Sequence, residues 1–277
     1  MSSTESTQSS QPTSNGGSPM RSIESITLVV REGAEQAADR VRQIAAQAGV
    51  DVRDDGERAD LAVVLGGDGT MLRTLGRFLG TGVPVLGVNY GRIGFLTAIA
   101  AEELEEGLGR AFAGELRTVD LATLDVSVGE TTRSAVNDVV VAGGTLGRMV
   151  DLGYAISGEE LGHQPCDGLI VATATGSTAY NLSNGGPVLV WGIDAMALTF
   201  VAPHSLHIRP LVVPREAPVA VTNRTAGVDV SVLVDGQPLG SLAPDEQAHI
   251  RVSERYSVLA TLPEVTFFTR YAATFGR

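Results

Sequence analysis

The stretch Leu61-Ala62-Val63-Val64-Leu65-Gly66-Gly67-Asp68-Gly69-Thr70, continuing through Met71 to Leu79 and into Pro84-Val85-Leu86-Gly87-Val88, decides how this chain folds. Five successive apolar residues read as a buried strand with cover on both faces. The glycine-rich pentapeptide is a turn, Met71 to Leu79 has helical spacing, and Pro84 to Val88 is a second short apolar strand. Strand, turn, helix and strand in this order predict a largely parallel sheet with helices on its faces. Upstream the same rhythm holds: Ile26-Thr27-Leu28-Val29-Val30 reads as a strand, and Ala34 to Ala48 as a helix ended by Gly49.

Beyond the helical stretch Ala101 to Phe112 the character changes. Leu124, Val126 and Val128 alternate with Thr123, Asp125 and Ser127, the mark of a half-buried strand. Strand-like runs follow at Ala135 to Ala142, Leu169 to Thr173, Ala197 to Ala202, Pro218 to Thr222, Val228 to Val234 and His249 to Val252. The expected fold is therefore an α/β N-terminal domain with a mostly parallel sheet, followed by a β-rich C-terminal domain. Residues 1–22 are rich in Ser, Thr, Gln, Pro and Gly and are expected to be a disordered tail. The α/β domain is placed at 23–116 and the β-rich domain at 117–262. The C-terminal segment 263–277 is a candidate to pack back on the first domain.

Composition narrows the function classes. The chain has 277 residues, 43% of them hydrophobic, enough for two modest cores. No apolar run approaches the roughly 20 residues that span a bilayer, and Ser2 to Ser18 lacks a secretory signal's apolar segment, so a cytoplasmic protein without a membrane partner is expected. A net charge of −12 argues against nucleic acid as a partner. The single cysteine, Cys166, can form neither an internal disulfide nor a thiolate metal site by itself. All 20 basic residues are arginine. The absence of lysine excludes the Walker A loop, the protein-kinase strand lysine and Schiff-base chemistry. Any phosphate must then be met by backbone amides, arginine and a metal ion.

The Gly66–Thr70 turn carries the strongest chemical signal. Glycines without Cβ atoms let backbone N–H groups approach phosphate oxygens, and the following helix N-terminus adds a favourable dipole. An aspartate beside a bound anion would repel it unless it works with magnesium or accepts a proton from an attacking hydroxyl. The same five residues are equally readable as a tight turn with Asp68 or Thr70 capping a helix.

Gly66-Gly67-Asp68-Gly69-Thr70 resembles the signature of the NAD kinases and of diacylglycerol and sphingosine kinases. Four further segments single out the NAD kinase family. They are Gly91-Arg92-Ile93-Gly94-Phe95-Leu96-Thr97, Asn137-Asp138, Asp167-Gly168-Leu169-Ile170 leading into Thr175-Gly176-Ser177-Thr178-Ala179-Tyr180, and Pro203-His204-Ser205-Leu206 with Arg209-Pro210. They resemble that family's motifs in order over about Ile26 to Gln237. The resemblance implies an NAD kinase, a phosphotransferase with an alcohol acceptor. It would move the terminal phosphoryl group of ATP, or of polyphosphate, to the 2′-hydroxyl of the adenosine ribose of NAD, giving NADP. Asp68 is implied as the base. Gly66, Gly67, Gly69, Thr70 and Arg73 are implied to hold ATP phosphates.

The resemblance makes 23–116 a nucleotide-binding domain and 117–262 the NAD-binding domain. It implies an NAD site formed by Asp68, Gly69, Leu72, Arg73, Phe95, Asn137, Asp138, Arg148, Asp167, Thr175, Thr178, Ala179, Tyr180, Asn181, Leu182, Ser183, Ala202 and Gln237. Arg148 rests only on its spacing from Asn137. An amide beside a carboxylate suits an adenine edge or a ribose hydroxyl. Small residues around Tyr180 suit a flat ring. Magnesium is the expected cofactor, carried on ATP phosphates, and a homodimer or homotetramer is the implied assembly. His204 and His207 lack a third ligand and read as structural. Two departures stand out. Ala172-Thr173-Ala174-Thr175 replaces the common Ser-Thr-Pro-Thr, and Pro165 sits where some members carry a basic residue reaching a neighbouring subunit. A lipid kinase and a non-catalytic NAD(P) sensor are the competing readings.

Overall fold

The computed structural model describes residues 22–54, 58–90, 94–144 and 149–276. Arg148 and all but the last residue of the expected tail lie outside the described residues. The first part of the chain runs β1 (Ser25–Val30), α1 (Glu35–Ala48), β2 (Asp51–Arg53), β3 (Leu61–Leu65), α2 (Asp68–Arg77), β4 (Pro84–Asn89), β5 (Ile99–Ala100) and α3 (Leu104–Phe112). Then come β6 (Arg117–Val128), β7 (Thr131–Ala135), β8 (Asp138–Gly143), β9 (Val150–Ile156), β10 (Glu159–Cys166) and β11 (Gly168–Ala172). The short α4 (Tyr180–Ser183) precedes β12 (Ala195–Val201), β13 (Leu211–Pro214), β14 (Val219–Asn223), β15 (Val230–Val234), β16 (Gln237–Leu242) and β17 (Gln247–Thr261), and α5 (Phe267–Phe275) closes the fold.

The strands form two sheets. The larger runs β10-β9-β14-β17-β4-β3-β1-β2, with β5 beside β4, β6 beside β17 and β7 beside β6. Its β2-β1-β3-β4 part is parallel, and β17 joins β4 in parallel through Val258–Ala260. Further back, the same fifteen-residue strand pairs antiparallel with β6 and β14. The smaller sheet, β13-β12-β11-β8-β15-β16, is antiparallel throughout. This is the expected architecture of an α/β part with a mostly parallel sheet and a β-rich part.

Local chemistry explains the elements that frame the site. All five residues of β3 are fully buried, which accounts for their unbroken apolar run. Helix α1 stops at Gly49, whose φ of 71° lets its N–H turn back to the carbonyls of Ala45 and Ala46. On one face of the parallel strands lie Val41 and Ile44 of α1 with Leu108 and Phe112 of α3. On the other, Met71 and Leu75 of α2 pack with Val136, Trp191, Leu259 and Phe267. That second cluster draws residues from both halves of the sequence. A third cluster fills the space between the sheets, with Leu124, Leu152, Leu169, Leu198 and Ile250 among its members.

Some sequence expectations are corrected. The run Ala135 to Ala142 is not one strand, because the chain bends at Val136 and Asn137 between β7 and β8. The bend is fixed by a carboxylate from the distant Asp235 (see below). The stretch Ala101 to Phe112 opens with a 3-10 turn over Ala101–Glu103 before α3 begins. His249 to Val252 lies in the first half of the much longer β17.

Candidate active site

The glycine-rich turn leaves β3 at Leu65 and enters α2 at Asp68. Gly66 N–H donates to the carbonyl of Val88 at 3.0 Å, tying the turn to the end of β4. A Cβ on Gly66 would stand 2.7 Å from Thr70 Oγ1, so only glycine lets the strand pass this close to the helix. Gly67 is the extended N-cap residue; Thr70 N–H donates to its carbonyl at 2.9 Å, while the first-turn amides of Asp68 and Gly69 have no intrahelical acceptor. Such amides, at the positive end of the helix dipole, form an anion cradle. Thr70 Oγ1 accepts a long 3.4 Å bond from Arg73 Nη2. Arg73 and Gly69 are exposed beside that cradle, while Leu72 is half-buried.

Asp68 does not cap its own helix. Its Oδ2 accepts the N–H of Phe95 at 2.6 Å and its Oδ1 the N–H of Leu96 at 3.0 Å. A carboxylate gripped by two amides is oriented, yet each oxygen keeps a free lone pair. Gly94 makes the grip possible, because a Cβ there would overlap the Asp68 carboxylate. The carboxylate remains half-buried at the surface of the turn. Phe95 anchors the gripping loop, its ring meeting Trp191 edge-on at 5.6 Å and Phe267 at 5.4 Å.

The second group centres on Asn137 and Asp138. Gly76 of α2 lies beside the Val136 side chain, where a Cβ would be 3.8 Å from Cγ2, so this group borders α2. The carbonyl of Asn137 accepts the N–H of Thr173, and that of Val136 accepts Thr173 Oγ1 at 2.7 Å. Gly176 N–H then donates to Thr173 Oγ1, and a Cβ on Gly176 would overlap the Asn137 carbonyl. The Asn137 bend and the 173–178 turn are thus one interlocked unit. Within it, Asn137 Oδ1 and Thr175 Oγ1 are buried without a hydrogen-bond partner. Buried polar atoms are almost always paired, and these two are available to a further polar partner.

Asp235 holds this unit and was missed by sequence reasoning. Its carboxylate accepts the N–H groups of Val136 at 2.8 Å, Asn137 at 2.7 Å and Asp138 at 3.1 Å. Its own backbone adopts φ 48°, a strained left-handed conformation for a residue with a side chain. Burial pushes the Asp138 carboxyl up to about 7, with the neighbouring Asp235 adding to the shift. Asp235 is raised as well by burial, against the pull of its three amide donors.

The remaining expected residues fall into two places. Thr178, Ala179, Tyr180, Asn181, Leu182 and Ser183 continue from the Thr175 turn into α4. Tyr180 is 46% exposed and presents its ring to solvent. Asn181 is buried; it donates to the carbonyls of Ser177 and Pro187 and accepts from Thr199 Oγ1, so its amide fastens α4 to β12. Gln237 begins β16 one turn beyond Asp235. Asp167 and Ala202 lie together elsewhere, Asp167 N–H donating to Val201 at the start of β11, and Ala202 holding φ 44°. From Asp167 to Thr173 the chain advances roughly 20 Å at about 3.3 Å per residue, so β11 separates the two places. Among the described residues no three His, Cys, Asp or Glu side chains gather as a metal site.

Comparison with known proteins shows the family. The ATP-NAD kinase N-terminal domain matches residues 48–116 and the ATP-NAD kinase C-terminal domain residues 136–262. A protein named NAD kinase from Gemmatimonas aurantiaca is 37% identical over 238 residues, covering 82% of each chain. Another from Nitratidesulfovibrio vulgaris is 35% identical and covers 91% of this chain and 96% of its own. Among solved structures, an NAD kinase from Archaeoglobus fulgidus in complex with ATP superposes with a TM-score of 0.75 at 28% identity, covering 91% of this chain and 97% of its own. Yeast NADH kinase complexed with NADH shares the fold, with a TM-score of 0.79 at 21% identity, covering 93% and 88%.

Proposed function

This chain belongs to the NAD kinase family and phosphorylates NAD to NADP, and from that premise we propose how its residues divide the work. The observation that carries the assignment is Asp68, a carboxylate oriented by two loop amides at the mouth of a helix whose first two amides, those of Asp68 and Gly69, have no intrahelical acceptor. ATP, or polyphosphate in its place, lays its terminal phosphates against Gly66, Gly67, Gly69 and Thr70, with Arg73 alongside. The adenosine end of NAD enters the unit built from Asn137, Asp138 and Thr175. Asn137 Oδ1 and Thr175 Oγ1 then gain partners. Leu72, Phe95, Thr178, Ala179, Tyr180, Asn181, Leu182 and Ser183 wall this end, with Gln237 at its edge. Asp167 and Ala202 are assigned to the far end of the dinucleotide.

The 2′-hydroxyl attacks the terminal phosphorus in line as its proton passes to an Asp68 oxygen. The bond from that phosphorus to the bridging oxygen breaks, and ADP leaves. A ribose hydroxyl is a poor nucleophile while protonated, so positioning a base supplies the step that geometry alone does not. Magnesium, when bound, neutralises charge on the transferring group. The described residues assemble no cage of their own for it, so the donor phosphates would carry it. A homodimeric or homotetrameric assembly and a cytoplasmic location belong to the same proposal and rest on the family resemblance. The net charge of −12 speaks against a nucleic-acid partner.

The test couples NADP formation from NAD and ATP to an NADP-specific dehydrogenase. Asp68→Asn keeps the shape and the Leu96 bond but cannot accept the proton. Turnover should fall at least about a hundredfold while NAD still binds. Wild-type turnover in Asp68→Asn would remove Asp68 from the role of base.

A further inference from the structure

Helix α5 carries a cation that the scheme above leaves unused. The helix is started by a capping box in which Thr266 and Thr269 exchange side-chain and backbone hydrogen bonds. Its two buried side chains, Phe267 and Arg270, are three residues apart and so share one face. Phe267 packs on Phe95 and Trp191. Arg270 follows it inward and is only 6% exposed.

That guanidinium is incompletely paired. Nη1 donates to the carbonyl of Gly94 at 3.2 Å, whereas Nε and Nη2 are buried with no hydrogen-bond partner. Burial lowers its pKa to about 10, opposed by the negative charge of Asp68, so the group is a cation at neutral pH. A buried charge with unsatisfied donors is costly unless an anion completes it. Arg270 lines a pocket of about 220 Å³ together with Asn89, Gly94, Thr97 and Thr269, and Glu103 stands at its exposed rim. Gly94 links this pocket to the catalytic turn: its carbonyl binds Arg270 and its α-carbon abuts the Asp68 carboxylate.

We propose that Arg270 is a phosphate ligand of the active site, and that its pocket receives the terminal part of the donor's phosphate chain. This rests on the reading of the chain as an NAD kinase with Asp68 at its centre. The planar guanidinium offers Nε and Nη2 as a fork that fits two phosphate oxygens. In a chain without lysine, it places a full positive charge where the triphosphate is most negative. Helix α5 is then part of the catalytic machinery rather than a cover over the sheet.

The test compares wild type with Arg270→Met, which keeps an apolar stem without the charge, and Arg270→Lys. Folding is verified by melting. Arg270→Met should raise KM for ATP at least tenfold and leave KM for NAD within twofold. Inhibition by sodium tripolyphosphate, competitive against ATP in wild type, should weaken tenfold or more, and Arg270→Lys should recover part of both. An ATP KM and a tripolyphosphate inhibition that are unchanged in Arg270→Met would overturn the proposal while leaving NAD kinase activity intact. If Arg270→Met does not fold, hydrogen exchange on wild type decides. Slower exchange at residues 94–97 and 267–272 on adding tripolyphosphate supports the site, and unchanged exchange there refutes it. Should wild type form no NADP, the kinase reading fails, while the exchange measurement still reports whether Arg270 holds phosphate.

Discussion

Gly94→Ala perturbs the Asp68 carboxylate without replacing a charged side chain or altering the apolar core. A Cβ built on Gly94 falls 2.6 Å from Asp68 Cγ and 2.9 Å from Oδ2, and closer still to Oδ1. Ordinary contacts need 3.4 Å or more, so the loop and the carboxylate must separate by about 1 Å, a displacement that typically costs a reaction on the order of a hundredfold. The Phe95 and Leu96 amides that grip Asp68 follow Gly94 directly, so the same shift loosens both bonds. The expected signature is a kcat for NADP formation lowered about a hundredfold, with little change in melting temperature or NAD affinity. Coupled kinetics, calorimetric NAD titration and a thermal melt measure the three quantities. A Gly94→Ala enzyme with kcat within threefold of wild type would refute the claim that close approach of this loop orients Asp68.

Two further perturbations probe the dinucleotide end. Asp235→Ala strips the acceptor from three backbone amides, which should destabilise the protein by about 2–4 kcal/mol and weaken NAD binding at least about tenfold. Denaturant melts and NAD titration test it, and wild-type NAD affinity would show that the Asn137 bend holds without this carboxylate. Asp138→Asn addresses the raised carboxyl. With a folded value of about 7 against an ordinary 3.8, native Asp138 keeps a proton that the unfolded chain releases, so stability falls as pH rises from about 4 through 7. The asparagine variant lacks that loss, which is at most about 4 kcal/mol, and its Tm relative to wild type should be higher at pH 8 than at pH 5. Parallel pH profiles for the two proteins would sink this account.

What could be read from the sequence was what the sequence encodes locally. The all-apolar Leu61–Leu65, the glycines after it and the amphipathic helix behind them state their own structure, because each signal lies within a few residues of the group it shapes. The hairpin β9–β10 was silent for the opposite reason. Glu159 to His163 are exposed at the sheet edge, and a bulge between Glu160 and Gly162, with Gly162 at φ 117°, destroys the alternation that would have announced a strand. At the site the same division holds. Asp68 and the Asn137-Asp138 pair stand in motifs, whereas Asp235 looks like any aspartate before a glycine in a hairpin turn.

Asp235 meets its three amides 97 to 99 positions earlier in the chain, and Arg270 meets the Gly94 carbonyl 176 positions earlier. No local period encodes such distances; the topology does. The pairing of β15 with β8 brings Asp235 to the Asn137 bend, and β17, whose far end pairs with β4, delivers the chain to α5 and so brings Arg270 to Gly94. The aromatic contacts of Phe267 with Phe95 and Trp191 then fix α5 against both halves. A substitution that weakens this aromatic cluster should therefore act on Asp68 through the Phe95 amide, although no member of the cluster bears reactive chemistry. The apolar packing at this junction and the orientation of the Asp68 carboxylate are one mechanical unit.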